Sequence, residues 1–272
     1  IVGEETPLPS SFDPSKGTVS KAIITCPFCN AIIDAKTTRH LFQNKKDGRQ
    51  LLAIVSQGKR RKNYRLPTKK DLDSFEKANS YFLEKEKYFL KKYGAVPIPD
   101  EELIKTSGNQ MAPINYGLKR WGELFNVRQK LVLSVLVEKL WELHPKILDE
   151  YKDPNYAKGI VSYLGLLIDK IASSSNEFCR WQPNGEKIAD IFGRQAIPMI
   201  WDYPETNILF GASRSFEELF KDILSLLTSL SISKKPCTVL NSSATKLPFS
   251  DKYFDAVLTD PPYYDNIFYS NL

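Results

Sequence analysis

Apolar residues recur at helical spacing in four stretches of the 272-residue chain. Residues 71–92 carry Phe75, Tyr81, Phe82, Tyr88 and Phe89, with Asp71 and Asp73 at the start and Lys91-Lys92 near the end. Those charges suit a helix dipole, and Gly94 stops the pattern. A second helix is expected after Asn126, a good N-cap, through Leu131, Val135, Leu136 and Leu140. A third spans roughly 156–172, and a fourth follows Ser215 with Phe216, Leu219, Phe220, Ile223, Leu224 and Leu227 on one face. Shorter apolar runs at 22–26, 51–55, 237–241 and 254–259 read as strands. Residues 1–20, rich in Pro, Ser and Gly, read as a linker. Residues 95–118, interrupted by Pro97, Pro99, Gly108, Pro113 and Gly117, are expected to form a long surface connection.

Composition changes this picture little. An apolar fraction of 42% and a charged fraction of 26% are ordinary for a folded protein, so a wholly disordered chain is excluded. The net charge of +6 suits a polyanionic partner without requiring one. Its distribution says more, because Arg39, Lys45, Lys46, Arg49, Lys59-Arg60-Arg61-Lys62, Arg65, Lys69 and Lys70 crowd into one stretch. That stretch reads either as cationic loops laid along a phosphate backbone or as a solvated face. Four scattered cysteines exclude a secreted disulfide framework and point to a reducing, cytoplasmic compartment. No apolar run reaches membrane-spanning length and no signal-peptide pattern opens the chain, so no membrane partner is expected.

Candidate chemistry falls in three places. Cys26-Pro27-Phe28-Cys29 puts two thiols on one tight turn after a short strand, which is half of a tetrahedral zinc site. Cys179 and Cys237 are isolated and His40 is poorly spaced for a third ligand. A redox pair or two plain thiols are the other readings, and Pro27 after a strand favours zinc. The aperiodic stretch 192–207 mixes Arg194, Trp201, Asp202, Tyr203, Glu205 and Asn207, residues that line sites or simply form turns. The run Phe254, Ala256, Val257, Leu258 is closed by Asp260-Pro261-Pro262, and proline cannot donate to a ladder, so a strand must end there. Ligands of open α/β sheets bind outside the carboxyl ends of strands, which puts Asp260 and Tyr263 where chemistry is done. Asp260 is otherwise a turn residue before proline, and Tyr263 otherwise a packed aromatic.

The order strand, Ser242-Ser243-Ala244, Leu247-Pro248-Phe249, turn, strand, Asp260-Pro261-Pro262-Tyr263 resembles the second half of a class I S-adenosylmethionine-dependent methyltransferase. The final four residues resemble the catalytic motif of the amino-methyltransferases that modify adenine N6 or cytosine N4 in DNA. Adding Cys26-Pro27-Phe28-Cys29, Tyr64-Arg65-Leu66-Pro67-Thr68 and Arg120-Trp121-Gly122-Glu123-Leu124-Phe125-Asn126 with Arg128-Gln129, the whole chain is similar to large adenine-specific DNA methylases that contain a zinc ribbon. That resemblance implies an α/β fold with part of a Rossmann-like sheet, interrupted by a zinc-ribbon-like module and a helical region. Residues 1–70 would be the basic β module with half a zinc site, 71–232 a helical insertion and candidate DNA-recognition region, and 233–272 the C-terminal part of the catalytic domain. Asp260 and the Pro261 carbonyl would accept the N–H bonds of the target amine, Pro262 would fix that carbonyl, and Tyr263 would stack on a base flipped out of double-stranded DNA. Ser243 and Ala244 would lie against the cofactor adenine, where many relatives place Asp before Ala, so a weaker contact is expected. In such proteins a glycine-rich cofactor loop precedes the ribbon; no Gly-x-Gly follows a strand here, and a fragment is expected. Rival functions are a nucleic-acid-binding zinc-ribbon protein with a degenerate methyltransferase remnant, and a methyltransferase acting on RNA or a protein amide.

Overall fold

A computed structural model describes residues 17–26, 29–59, 61–104, 111–193, 196–210, 213–231 and 237–260. The fold is mixed α/β, with five α-helices and three small antiparallel sheets among the described residues. The chain divides into two compact units, Ile1–Leu219 and Phe220–Leu272.

The first unit opens with strands β1 (Val19–Ser20), β2 (Ile23–Thr25) and β3 (Ile32–Ile33), antiparallel in that order. Lys21 and Ala22 join β1 to β2 with φ of 51° and 67°, a two-residue turn whose twist matches the strands. Helix α1 (Ala35–Gln43) follows at once, because the Asp34 carboxylate accepts from the Thr37 amide at 2.6 Å and caps its N-terminus. Strands β4 (Ile54–Gln57) and β5 (Lys62–Arg65) form a hairpin in which Val55 faces Tyr64. The apolar run at 51–55 therefore enters its strand three residues late, since only the part opposite β5 finds ladder partners.

Helices α2 (Lys69–Tyr93), α3 (Val127–Tyr151) and α4 (Pro154–Ser174) supply the bulk of this unit, with α3 packed against both of the others. Each start is chemically marked. The Asp71 carboxylate accepts from both the amide (2.7 Å) and hydroxyl (2.6 Å) of Thr68. Asn126 and Gln129 cap α3 reciprocally, each side chain accepting from the other's amide at 3.0 and 2.9 Å. Lys152 ends α3 at φ 53°, and Asp153 and Pro154 start α4 immediately, so the two helices form an antiparallel pair. Phe82 and Phe89 are buried on α2, Leu133 and Ile147 on α3, and Leu167 and Ile171 on α4, whereas Leu131, Val135, Leu136 and Leu140, expected as the core face of α3, are only half-buried.

Expectation and structure part at three places. Residues 95–118 were expected to be surface loop, yet Leu103, Pro113 and Tyr116 are buried and residues Ala112–Tyr116 form a 3₁₀ turn. Leu103 joins Leu124, Phe178, Ile191 and Ile197 in a core cluster. Proline and glycine forbid long helices there without preventing burial. Strands β6 (Arg180–Gln182) and β7 (Lys187–Ala189) form a second hairpin, which the short alternation did not announce. Finally, the runs at 237–241 and 254–259 pair in no ladder among the described residues, and no Rossmann-like sheet is present among them. An apolar strand is held by neighbours on both sides, and no described segment provides them.

Helix α5 (Phe216–Leu230) starts in the first unit, where Ser215 is buried and Glu217 and Glu218 occupy its first turn, and continues into the second. The second unit then carries turns at 243–246 and 250–253. Phe249, Tyr253 and Phe254 cluster with ring centroids 4.7 to 4.9 Å apart. No helix among the described residues is long and apolar enough to cross a membrane.

Candidate functional site

The two thiols share one hairpin turn, as expected. The Cys26 amide donates to the Ala31 carbonyl at 2.9 Å and the Asn30 amide to the Cys26 carbonyl at 2.9 Å, which folds the chain back between β2 and β3. Asn30 takes φ 58°, a left-handed position that asparagine tolerates better than most residues. Cys26 is half-buried and Cys29 exposed, and two thiols are two of the four ligands that a tetrahedral zinc site needs. Among the described residues no group of three or more His, Cys, Asp or Glu side chains could hold a metal. His40 lies on α1 with Asn44 Nδ2 3.3 Å from its ring nitrogens. Cys179 is buried, and burial pushes its thiol up to about 11, so it stays protonated as a small core residue.

The residues that carry the methyltransferase resemblance belong to the second unit. Asp260 is exposed at the end of the 254–259 run, in which Leu258 is 98% exposed. Pro261, Pro262 and Tyr263 lie outside the described residues. Ser243 and Ala244 are exposed, and the Ser243 hydroxyl is engaged inside its own turn, 2.9 Å from Thr245 Oγ1 and accepting from the Thr245 amide. A cleft of about 480 Å³ is lined by residues 181–185 and Lys187, and another of about 210 Å³ by Arg180, Ile191, Ala196 and Pro198. Neither includes Ser243, Ala244 or Asp260.

A connected polar cluster lies elsewhere, at the N-terminus of α3. The Arg49 guanidinium grips the Glu177 carboxylate with two parallel bonds, at 2.8 Å from Nε and 2.6 Å from Nη2. Tyr203 donates its hydroxyl proton to Glu177 at 3.1 Å and accepts from Asn126 Nδ2 at 3.2 Å. Asn126 Nδ2 also donates to Glu205 at 2.8 Å. Arg128 Nε stands 3.0 Å from Glu205 at an angle too poor for a hydrogen bond, so charge holds that pair. The Arg128 guanidinium also lies over the Phe75 ring, 5.1 Å from its centroid. Burial, followed by the Glu177 charge, pushes the Tyr203 hydroxyl up to about 12. The hydrogen bonds it donates to Glu177 drive the Arg49 guanidinium further toward its charged form.

With both carboxylates paired, this cluster holds chain segments together. It gathers Asn126, Arg128 and Glu205 from motifs visible in the sequence. Glu177, Tyr203 and Arg49 were not singled out as partners; the only signal was a polar run at 174–177 where a helix end should face water, which is in fact buried. Nearby, the Phe42, Tyr116 and Trp201 rings meet edge to face at 5.5 to 5.6 Å, tying α1 to the 3₁₀ turn.

No protein-family model, curated protein or solved structure matches this chain.

Proposed function

We propose that this chain belongs to an S-adenosylmethionine-dependent methyltransferase that modifies the exocyclic N6 amine of adenine in DNA, and that residues 237–260 contribute to a class I sheet. The single observation that carries this is Asp260-Pro261-Pro262-Tyr263, closing an apolar run that follows Leu247-Pro248-Phe249 at the required interval. Two features of the fold support it. The contact of Phe249 with Tyr253 and Phe254 brings the Leu-Pro-Phe segment to the head of the run that leads to Asp260. The exposure of Val257 and Leu258 is that of a strand with empty flanks.

The exocyclic amine is a poor nucleophile because its lone pair is delocalised into the ring. S-adenosylmethionine, when bound, supplies an electrophilic methyl group. The chain's own residues act on the acceptor. Asp260 and the Pro261 carbonyl each accept one N–H, which favours a tetrahedral nitrogen and frees its lone pair. Pro262 limits the backbone freedom of that carbonyl, and Tyr263 offers a stacking face to the flipped base. Catalysis rests on positioning and charge, without a covalent intermediate. Zinc is part of the same proposal, held by Cys26 and Cys29 with two further ligands, and its work is to fix the hairpin rather than to react.

Methyl transfer from labelled S-adenosylmethionine to DNA, RNA and protein acceptors, assayed with the full-length protein, separates the proposed activity from its rivals. Asp260→Ala is expected to lower transfer to adenine by at least about a hundredfold while leaving DNA affinity unchanged. Equal transfer by wild type and variant removes Asp260 from catalysis, and transfer to RNA or protein alone removes DNA as substrate. In the same full-length protein, about one zinc per chain is expected and Cys26→Ser with Cys29→Ser should release it. Absence of metal in the wild type rejects the zinc assignment.

A further inference from the structure

Residues 39–70 hold eleven Lys and Arg against one Asp, a net +10, while the whole chain is only +6, so the remaining residues are net negative. The positive charge of this protein is thus concentrated in one place. Part of it is already committed: Arg49 to Glu177 and Asp47, Arg65 to Asp71. Lys59 and Arg61, at the tip of the β4–β5 hairpin, are exposed and make no ion pair or side-chain hydrogen bond among the described residues.

The hairpin is exposed along most of its length, Val55 and Tyr64 included. A two-stranded ribbon of this kind is marginal by itself, so something must brace it. The brace is Glu186, at the turn of β6–β7, with φ 43°. Its carboxylate accepts from the Tyr64 hydroxyl at 2.9 Å and from the Lys62 amide at 3.3 Å, and its carbonyl accepts from Lys62 Nζ. Tyr64 meets Trp181 edge to face at 6.5 Å, and Lys62 Nζ lies 5.1 Å from the Trp181 ring centroid. The 480 Å³ cleft walled by Trp181 and Lys187 opens on this second hairpin. The exposed Lys59 and Arg61 thereby adjoin a strand fastened at Lys62 and Tyr64, beside an aromatic-walled cleft whose rim carries another exposed lysine.

We propose that the paired hairpins form a DNA-gripping arm, in which Lys59 and Arg61 neutralise phosphates along the edge of a groove and Lys187 engages the backbone beside the Trp181 cleft. A two-stranded β-ribbon has the width to enter the major groove of B-form DNA. An anionic membrane would reward a flat basic surface, whereas this one protrudes. The choice of DNA over other polyanions rests on the functional reading above; the binding itself is independent of methyl transfer.

The test is fluorescence anisotropy of a labelled duplex of about twenty base pairs, with the full-length protein and no methyl donor, across a range of salt. Lys59→Ala with Arg61→Ala should weaken binding at least about fivefold near 0.15 M salt and reduce the slope of log affinity against log salt by about two. Lys187→Gln should reduce it by about one. Lys146→Ala with Lys158→Ala removes the same charge from exposed positions on α3 and α4 and should leave the slope near that of the wild type. An unchanged affinity in the hairpin variant, or an equal loss in the helix variant, overturns the arm. So does tighter binding of phosphatidylserine vesicles or polyglutamate than of DNA through the same residues. Because no methyl transfer is measured, failure of the Asp260 assignment leaves this result interpretable, and loss of the arm leaves the Asp260 assignment untouched.

Discussion

At the scale of the residue, Tyr203 decides how the cluster at the start of α3 behaves. Its hydroxyl links the Glu177–Arg49 pair to the Asn126–Glu205 pair. Tyr203→Phe leaves each pair with its own partner, so the expected loss is about 1 kcal/mol, a fall of a few degrees in Tm by calorimetry. The pH dependence follows from its raised pKa. A free tyrosine titrates near 10.0 and this one near about 12, so the folded state holds its proton where the unfolded state has lost it. The contribution is fully present below about 10 and disappears as the pH rises towards about 12. The Phe variant should lack that alkaline decline, which near-ultraviolet circular dichroism against pH will read. A parallel decline in both proteins would place its origin in another group.

Among the elements, the contact of α2 with α3 turns on one buried ion pair, Lys85 with Glu138 at 2.7 Å. Burial raises the carboxyl of Glu138, but the hydrogen bonds from Lys85 and Tyr88 and the Lys85 charge outweigh it and the net shift is downward. Lys85 Nζ also lies 4.4 Å from the Tyr88 ring centroid. Lys85→Met, which strands the carboxylate, should cost about 3 kcal/mol, and adding Glu138→Leu should recover most of it. Because the folded carboxyl titrates below its ordinary 4.5, the pair's contribution stands above that pH and is lost as the pH falls through the lower folded value. The deficit of the single variant should therefore shrink in acid, as urea titrations at pH 7 and pH 4 will show. The helices were legible in the sequence because caps and periodicity act locally: Asn126 with Gln129, Asp153 with Pro154 and Gly94 each mark a boundary without help from the rest of the chain. Strands have no such autonomy. The run at 51–55 slid to Ile54–Gln57, the part that pairs with β5, and the turn of the β6–β7 hairpin places Glu186 against Lys62 and Tyr64 from a distant part of the chain.

For the whole molecule, what could be read from the sequence was the chemistry of short motifs, and what could not was their company. Cys26 and Cys29 meet at one turn because three residues of chain bring them there, whereas Glu177 meets Arg49 across 128 positions, which no local pattern records. The sheet expected around Asp260 depends wholly on neighbours, and the described residues supply none. Long-range pairing also has a kinetic side. The α3–α4 turn closes over a few residues, but the bonds of the cluster close loops of 128, 77 and 26 residues. Its contacts therefore belong after the folding barrier. Tyr203→Phe should accelerate unfolding in stopped-flow experiments and leave the refolding rate nearly unchanged. Resistance to unfolding would then be set at a junction that plays no part in guiding the chain to its fold.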